Sequence, residues 1–325
     1  MPLHPKLRER IDYEESAYPD ITQVPVEEGR RIVREIATET DRLAGLPPPL
    51  ERVEDHSVLL PGHAVGVRLY FPSGGRVPAP VVAFLHGGGW VFGDVETHDS
   101  MCREIAARSQ SVVASVAYRR SPENKFPDAL DDCNGVIRWL ADPTTAKRFG
   151  LRSESIAVAG TSAGGNMAAV LASQSRAPGS PRLVGQILIY PVTAHFPETA
   201  SYRDNAHGFG LEAEFMAWMW EQYLRSPEDG ADARVAPLRE VNLARSPPAH
   251  VLTAEYDLLR DEGEEYARRL DRAGVHTRIS RYQGMIHGFL DYRGIVKEGW
   301  DALSDIADTL RYWFGTADAE PRVTS

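Results

Sequence analysis

The sequence predicts an α/β fold: a mostly parallel central sheet flanked by helices, with a helical cap. Three observations predict it. Short continuous apolar runs, among them "VVAFL" (81–85) and "SIAVAG" (155–160), read as strands covered on both faces. Helix-like segments separate these runs, and strand, helix, strand in succession implies parallel pairing through crossovers. One aromatic-rich stretch, residues 194 to about 235, breaks the alternation and reads as an insertion.

The elements follow in order. Residues 1–50 read as helical, a first contribution to the cap, and end in the hinge-like "GLPPPL". The first part of the core spans 51–193. In it "HAVGVRLYF" (63–71) places Val65, Val67, Leu69 and Phe71 on one face, the alternation of a half-buried strand. Further strands are expected at 81–85, 111–118, 155–160 and 184–190, with helices near 98–109, 128–141 and 163–175. The cap insertion, 194–235, contains "LEAEFMAWMWEQYL", whose Phe215, Trp218, Trp220 and Tyr223 either pack the cap onto the sheet or wall a pocket. The second part of the core, 236–315, carries strands at 250–256 and 275–282 and helices near 261–273 and 295–314. The small, polar residues 316–325 read as a loose tail.

Composition narrows the function. The net charge of −10 argues against nucleic acid and against an anionic membrane surface as partners. Cys102 and Cys133 lie in no metal-like cluster and read as reduced thiols of a cytoplasmic protein. The N-terminus lacks the apolar core of a secretory signal, and no stretch approaches the roughly 20 apolar residues of a membrane span.

"SIAVAGTSAGGNMAAVL" runs strand, turn, helix and contains Gly160-Thr161-Ser162-Ala163-Gly164. A G-x-S-x-G turn holds its serine in strained backbone above a sheet edge, where side chains two residues either side would collide with neighbouring elements. The helix that follows aims its positive end at the same spot. The alternative is a tight Gly-rich turn without chemistry.

An acyl-transfer serine needs N–H donors for the oxyanion of its transition state. Ala163, next to the serine, offers one. "HGGGW" (86–90), directly after a strand, offers others, assigned to Gly87 and Gly88, with His86 orienting the loop. A phosphate loop is the competing reading, but the Lys-Ser/Thr of a P-loop is missing and the spacing is not G-x-G-x-x-G.

The serine also needs a base, and the base a carboxylate, in the chain order Ser, Asp or Glu, His. Of ten histidines, His207 precedes the acid candidates, His250 starts a strand and His276 lies in one. His287 sits on a loop just after the last strand and is chosen. Asp257 directly follows a strand at the carboxyl edge and is the expected acid, with Glu255 as fallback. Asp261 and Glu264 read instead as a helix capping box.

"HGGGW", "YRRSPENKFPDALDD" (118–132), "GTSAGGN", "EYDLLRDEG" and "GMIHGF" resemble, in this order, bacterial family IV esterases of the hormone-sensitive lipase family. The resemblance spans nearly the whole chain from about residue 60. It implies an α/β-hydrolase fold with a helical cap and hydrolysis of small short-chain acyl esters, with no metal or cofactor. It supports Ser162, Asp257 and His287 as triad, with Gly87, Gly88 and Ala163 around the oxyanion. Two positions depart: Thr161 stands where the commoner form has Asp, as in a less common GTSAG subgroup, and Leu258 where the family often has Pro. Trp90 and Phe92 are expected to line the acyl pocket, with Phe215 and Trp218 covering it. Analogy with relatives also suggests a homodimer through the sheet edge near 275–282. An amidase or deacetylase could use the same triad. Gibberellin receptors keep the fold as a binding module but lose the histidine, which "GMIHGF" retains. A Ser-x-x-Lys enzyme is excluded because no lysine has a serine three positions before it.

Overall fold

The computed structural model describes residues 1–316; the expected tail beyond them lies outside the described residues. A single sheet holds eight strands: β1 (Arg52–Leu60), β2 (His63–Phe71), β3 (Ala79–Leu85), β4 (Val112–Ala117), β5 (Leu151–Thr161), β6 (Gly185–Ile189), β7 (Ala249–Tyr256) and β8 (Thr277–Ile286). Their spatial order is β1-β2-β4-β3-β5-β6-β7-β8. The pairs β1–β2 and β2–β4 are antiparallel, and all pairs from β4–β3 to β7–β8 are parallel. The chain therefore has the mostly parallel α/β architecture that its alternating apolar runs predict.

The burial of the strands explains their sequences. Every residue of β3 and of β6 is buried, as expected of strands covered on both faces. Successive β3 residues enter opposite layers. Val81, Ala83 and Leu85 join a core with Val136 of helix α4 (Asp128–Ala141) and Met167 of α6 (Ala163–Gln174). Val82 and Phe84 join the other, with Ile105 of α3 (Asp99–Ser109) and Ile306 of α10 (Lys297–Trp313). The remaining helices are α1 (Pro5–Ala17), α2 (Val26–Ala44), α5 (Pro143–Phe149), α7 (Ala200–Asp204), α8 (Ala213–Tyr223) and α9 (Arg260–Arg272). Among the described residues no helix is long and apolar enough to cross a membrane.

Three features differ from the sequence-based expectation. Strand β1 has no clear apolar alternation because it is a sheet edge, where Glu54, Asp55 and His56 are only partly covered or exposed. Helix α5 lacks an apolar period and is started by its cap: the Asp142 carboxylate accepts the N–H groups of Thr144 and Thr145, and Pro143 occupies the first turn. The capping box at Asp261 and Glu264 does not form. Helix α9 already begins at Arg260, so Asp261 lies inside the first turn and accepts the Ser201 N–H at 2.7 Å. Glu264 instead pairs with Arg281 of β8 at 2.6 Å.

Helix α10 lies so close to β6 that a Cβ on Gly185 would sit 2.0 Å from the Trp313 ring. Gly185→Ala is therefore expected to destabilise the fold by about 1–3 kcal/mol through overpacking. Urea unfolding checks this, and adding Trp313→Leu should restore part of the loss.

Candidate active site

Ser162 stands between β5 and α6 with φ 53° and ψ −117°, a conformation L-residues rarely adopt. The two glycines of the motif make that turn fit. A Cβ on Gly160 would meet the Gly164 carbonyl oxygen at 2.3 Å, and one on Gly164 would meet the Leu85 carbonyl oxygen at 2.0 Å. The turn thus packs on itself and on the end of β3, backbone against backbone.

Two further strand ends bring up partners. His287 follows β8, and its Nε2 lies 2.9 Å from the Ser162 hydroxyl. Its Nδ1 lies 2.8 Å from Asp257 Oδ2, just beyond β7. The other oxygen of Asp257 accepts the Leu259 N–H at 2.9 Å, and the residue is 2% exposed. All three residues singled out from the sequence meet in one line. Glu255 points elsewhere, accepting the Gly284 N–H at 2.7 Å. His207 sits on an exposed loop, 3.4 Å from Glu214. His250 is buried between Ser280 and Thr309.

The three glycines after His86 are each required for a different reason. A Cβ on Gly87 would lie 2.8 Å from the Thr161 hydroxyl, one on Gly88 2.4 Å from the Phe92 carbonyl oxygen, and one on Gly89 1.7 Å from the Met219 sulfur. Gly88 and Gly89 also have φ of 108° and 58°. The Gly87 N–H does not serve as the expected oxyanion donor: His98 Nε2 takes it at 3.3 Å. The N–H groups of Gly88 and Gly89 have no protein acceptor among the described residues. Ala163 is the first residue of α6, so its N–H is free of the helix ladder.

Two buried histidines brace this loop. His86 Nδ1 lies 2.9 Å from the Gly87 carbonyl, and its ring stacks on Tyr118 at 4.1 Å. His98, which the sequence did not single out, receives the Gly87 N–H on Nε2, with the Thr161 hydroxyl 3.3 Å from the same nitrogen. Its Nδ1 proton then faces the Thr97 hydroxyl at 2.9 Å. Thr161 thereby joins the serine turn to the glycine loop.

A cavity of about 220 Å³ opens above Ser162 and His287. Val33, Ile36 and Ala37 of α2 and Phe215 and Met219 of α8 supply much of its apolar wall. Phe92 and Phe215 line it as expected. Trp90 and Trp218 do not. Trp90, at φ 62°, is fully buried and stacked on Tyr223 with ring centroids 4.2 Å apart. Trp218 stacks on Phe92 at 5.7 Å and backs the wall. Tyr190 and Asp291 also reach the cavity, and no motif marked either. The Tyr190 ring lies 4.8 Å from that of His287.

Burial keeps the structural histidines neutral, lowering the pKa to about 3 for His86 and about 4 for His98. The unfolded chain binds protons on them below pH 6.5 or so that the folded chain refuses. Their contribution is therefore complete above that pH and is lost as pH falls toward 4, on the order of 2 kcal/mol for His98 by pH 5. Urea unfolding at pH 7 and pH 5 should show the loss, and His98→Gln should show a smaller difference between the two.

A family model described as alpha/beta hydrolase fold matches residues 82–291. Esterase LipI of Mycobacterium tuberculosis is 36% identical over 287 residues, 86% of this chain and 87% of that protein. Ethyl acetate hydrolase of Pseudomonas putida is 36% identical over 77% of this chain and 79% of its own length. Among solved structures, a hyperthermophilic esterase from the archaeon Pyrobaculum calidifontis superposes with TM-score 0.91 at 38% identity, covering 98% of this chain and 100% of that one. With these likenesses added to the sheet order and the serine turn, the chain belongs to the alpha/beta hydrolase family, in its hormone-sensitive lipase-like group.

Proposed function

We propose that the protein is a serine carboxylesterase that hydrolyses short-chain acyl esters through Ser162, His287 and Asp257. The observation that carries this reading is the unbroken contact from the Asp257 carboxylate through both ring nitrogens of His287 to the Ser162 hydroxyl, at 2.8 and 2.9 Å, on the floor of a cavity. Relatives described as esterase and ethyl acetate hydrolase favour an ester over an amide.

The cycle has two halves. His287 Nε2 takes the Ser162 proton as the serine oxygen attacks the ester carbonyl. The N–H groups of Gly88, Gly89 and Ala163 receive the oxyanion. His287 then protonates the leaving alcohol, and an acyl-enzyme remains. Water, deprotonated by the same imidazole, releases the acid. Asp257 holds the Nδ1 proton in place and stabilises the imidazolium. Phe92 and Phe215 bound the acyl side and favour short chains.

Two results would check this. Ser162→Ala should lower kcat on p-nitrophenyl acetate by about 10⁴ or more; retention of most activity would remove Ser162 from the mechanism. Across p-nitrophenyl esters from acetyl to palmitoyl, activity should peak at short acyl chains. Phe215→Ala should move that peak to longer chains, whereas a wild-type rate rising steadily to palmitoyl would contradict the closed pocket.

A further inference from the structure

The cavity wall holds one carboxylate that the proposed cycle does not use. Asp291 lies four residues after His287, and its N–H donates to the Gly288 carbonyl at 2.9 Å, forming a tight turn. The turn folds the side chain back, so that Oδ2 comes within 3.7 Å of where a Gly288 Cβ would stand. Neighbouring acids have partners. Asp41 pairs with Arg293, and Glu14 with Arg10 and the Tyr292 hydroxyl. Arg293 is further engaged by Ser100 at 2.6 Å. The Asp291 carboxylate accepts no hydrogen bond and joins no ion pair among the described residues, although the residue lines the cavity together with Ser162 and His287.

Its position assigns it to one end of a substrate. His287 Nε2 must hand its proton to the leaving oxygen, so the alcohol portion of an ester lies on the imidazole side of Ser162. Asp291 is on the same loop as His287 and lines the cavity together with His287 and Gly288. A carboxylate in an apolar wall gains most from a ligand that brings the missing positive charge. Tyr190 and Tyr292 line the same cavity, and aromatic rings also favour quaternary ammonium groups.

Resting on the esterase reading, we infer that Asp291 is a specificity-determining residue that selects esters whose alcohol portion carries a cationic group.

Burial pushes the Asp291 carboxyl up to about 6, against the pull of Arg293 and His287 on its own segment and with the push of Asp41 from α2 and Glu14 from α1. Tyr190, beyond β6, and Tyr292, on its own segment, are further titratable groups facing it. The preference for a cation should therefore be present above that pH and fade below it.

The test compares kcat/KM of the full chain on acetylcholine and on 3,3-dimethylbutyl acetate, its uncharged isostere. Taking the ratio at each pH cancels any effect of pH that both esters share. The wild type should favour acetylcholine by about tenfold or more at pH 8, a modest yield for a charge pair in a half-buried site, and lose most of that preference at pH 5. Asp291→Asn should bring the ratio close to one at both pH values. A wild-type ratio near or below one at pH 8, or a preference unmoved by both acid and Asp291→Asn, overturns the assignment. The wild-type pH comparison decides even if the variant does not fold. Failure to hydrolyse the neutral ester would count against the esterase reading itself, and is thus separable from failure of the charge preference.

Discussion

The close approach of the β5–α6 turn to the end of β3 is the contact on which the site depends. Gly164 lies under the Leu85 carbonyl with no space for a methyl group, and a Cβ on Gly87 would lie 2.8 Å from the Thr161 hydroxyl and 3.1 Å from its carbonyl oxygen. At the Gly164 contact two segments distant in sequence are fixed backbone against backbone, where there is no side chain to rotate away. The strained Ser162 can be held because both of its flanks are immobilised in this way. The glycine loop can present amides to the cavity because His98 takes the one that faces the turn.

The roof of the cavity is held differently, by buried charge. Arg30 of α2 is 5% exposed and donates to the carbonyls of Val91 and Ser121 at 3.0 and 2.9 Å, beside its pair with Glu123. Asp41, at the other end of the same helix, engages Arg293 near the His287 loop. The helix is thus pinned to both sides of the opening by groups that are costly to leave unpaired. Its apolar face, Val33, Ile36 and Ala37, is then free to meet a substrate rather than to bind the helix to the core.

Much of this was legible in the sequence, for identifiable reasons. Parallel strands buried on both faces leave continuous apolar runs, which mark β3 to β7, while β2 is marked by its apolar alternation and β8 by its strand-like sequence. Ser162 and His287 sit in short motifs whose backbone demands are local, and its place directly after a strand selects Asp257 over Glu255. The remainder depends on direction, which a linear pattern does not carry. Trp90 looks like a pocket residue by position, yet its positive φ places it in a stack with Tyr223 and Trp220. Gly87 looks like an oxyanion donor by position, yet its N–H donates to His98 Nε2, eleven residues on. Asp291 belongs to no motif, and only the fold places it beside the imidazole. Strand β1 escapes because an edge can replace apolar residues with charge.

The position of Met219 against Gly89 carries one more consequence. The thioether of the cap helix occupies the volume that a side chain would fill on the loop, so the two pieces interlock like tenon and mortise. Any inward slide of α8 bears directly on a peptide unit of the glycine loop, and any outward slide leaves that peptide unsupported. The seating of α8 and the shape of the glycine loop are thereby coupled through one flexible sulfur-bearing side chain.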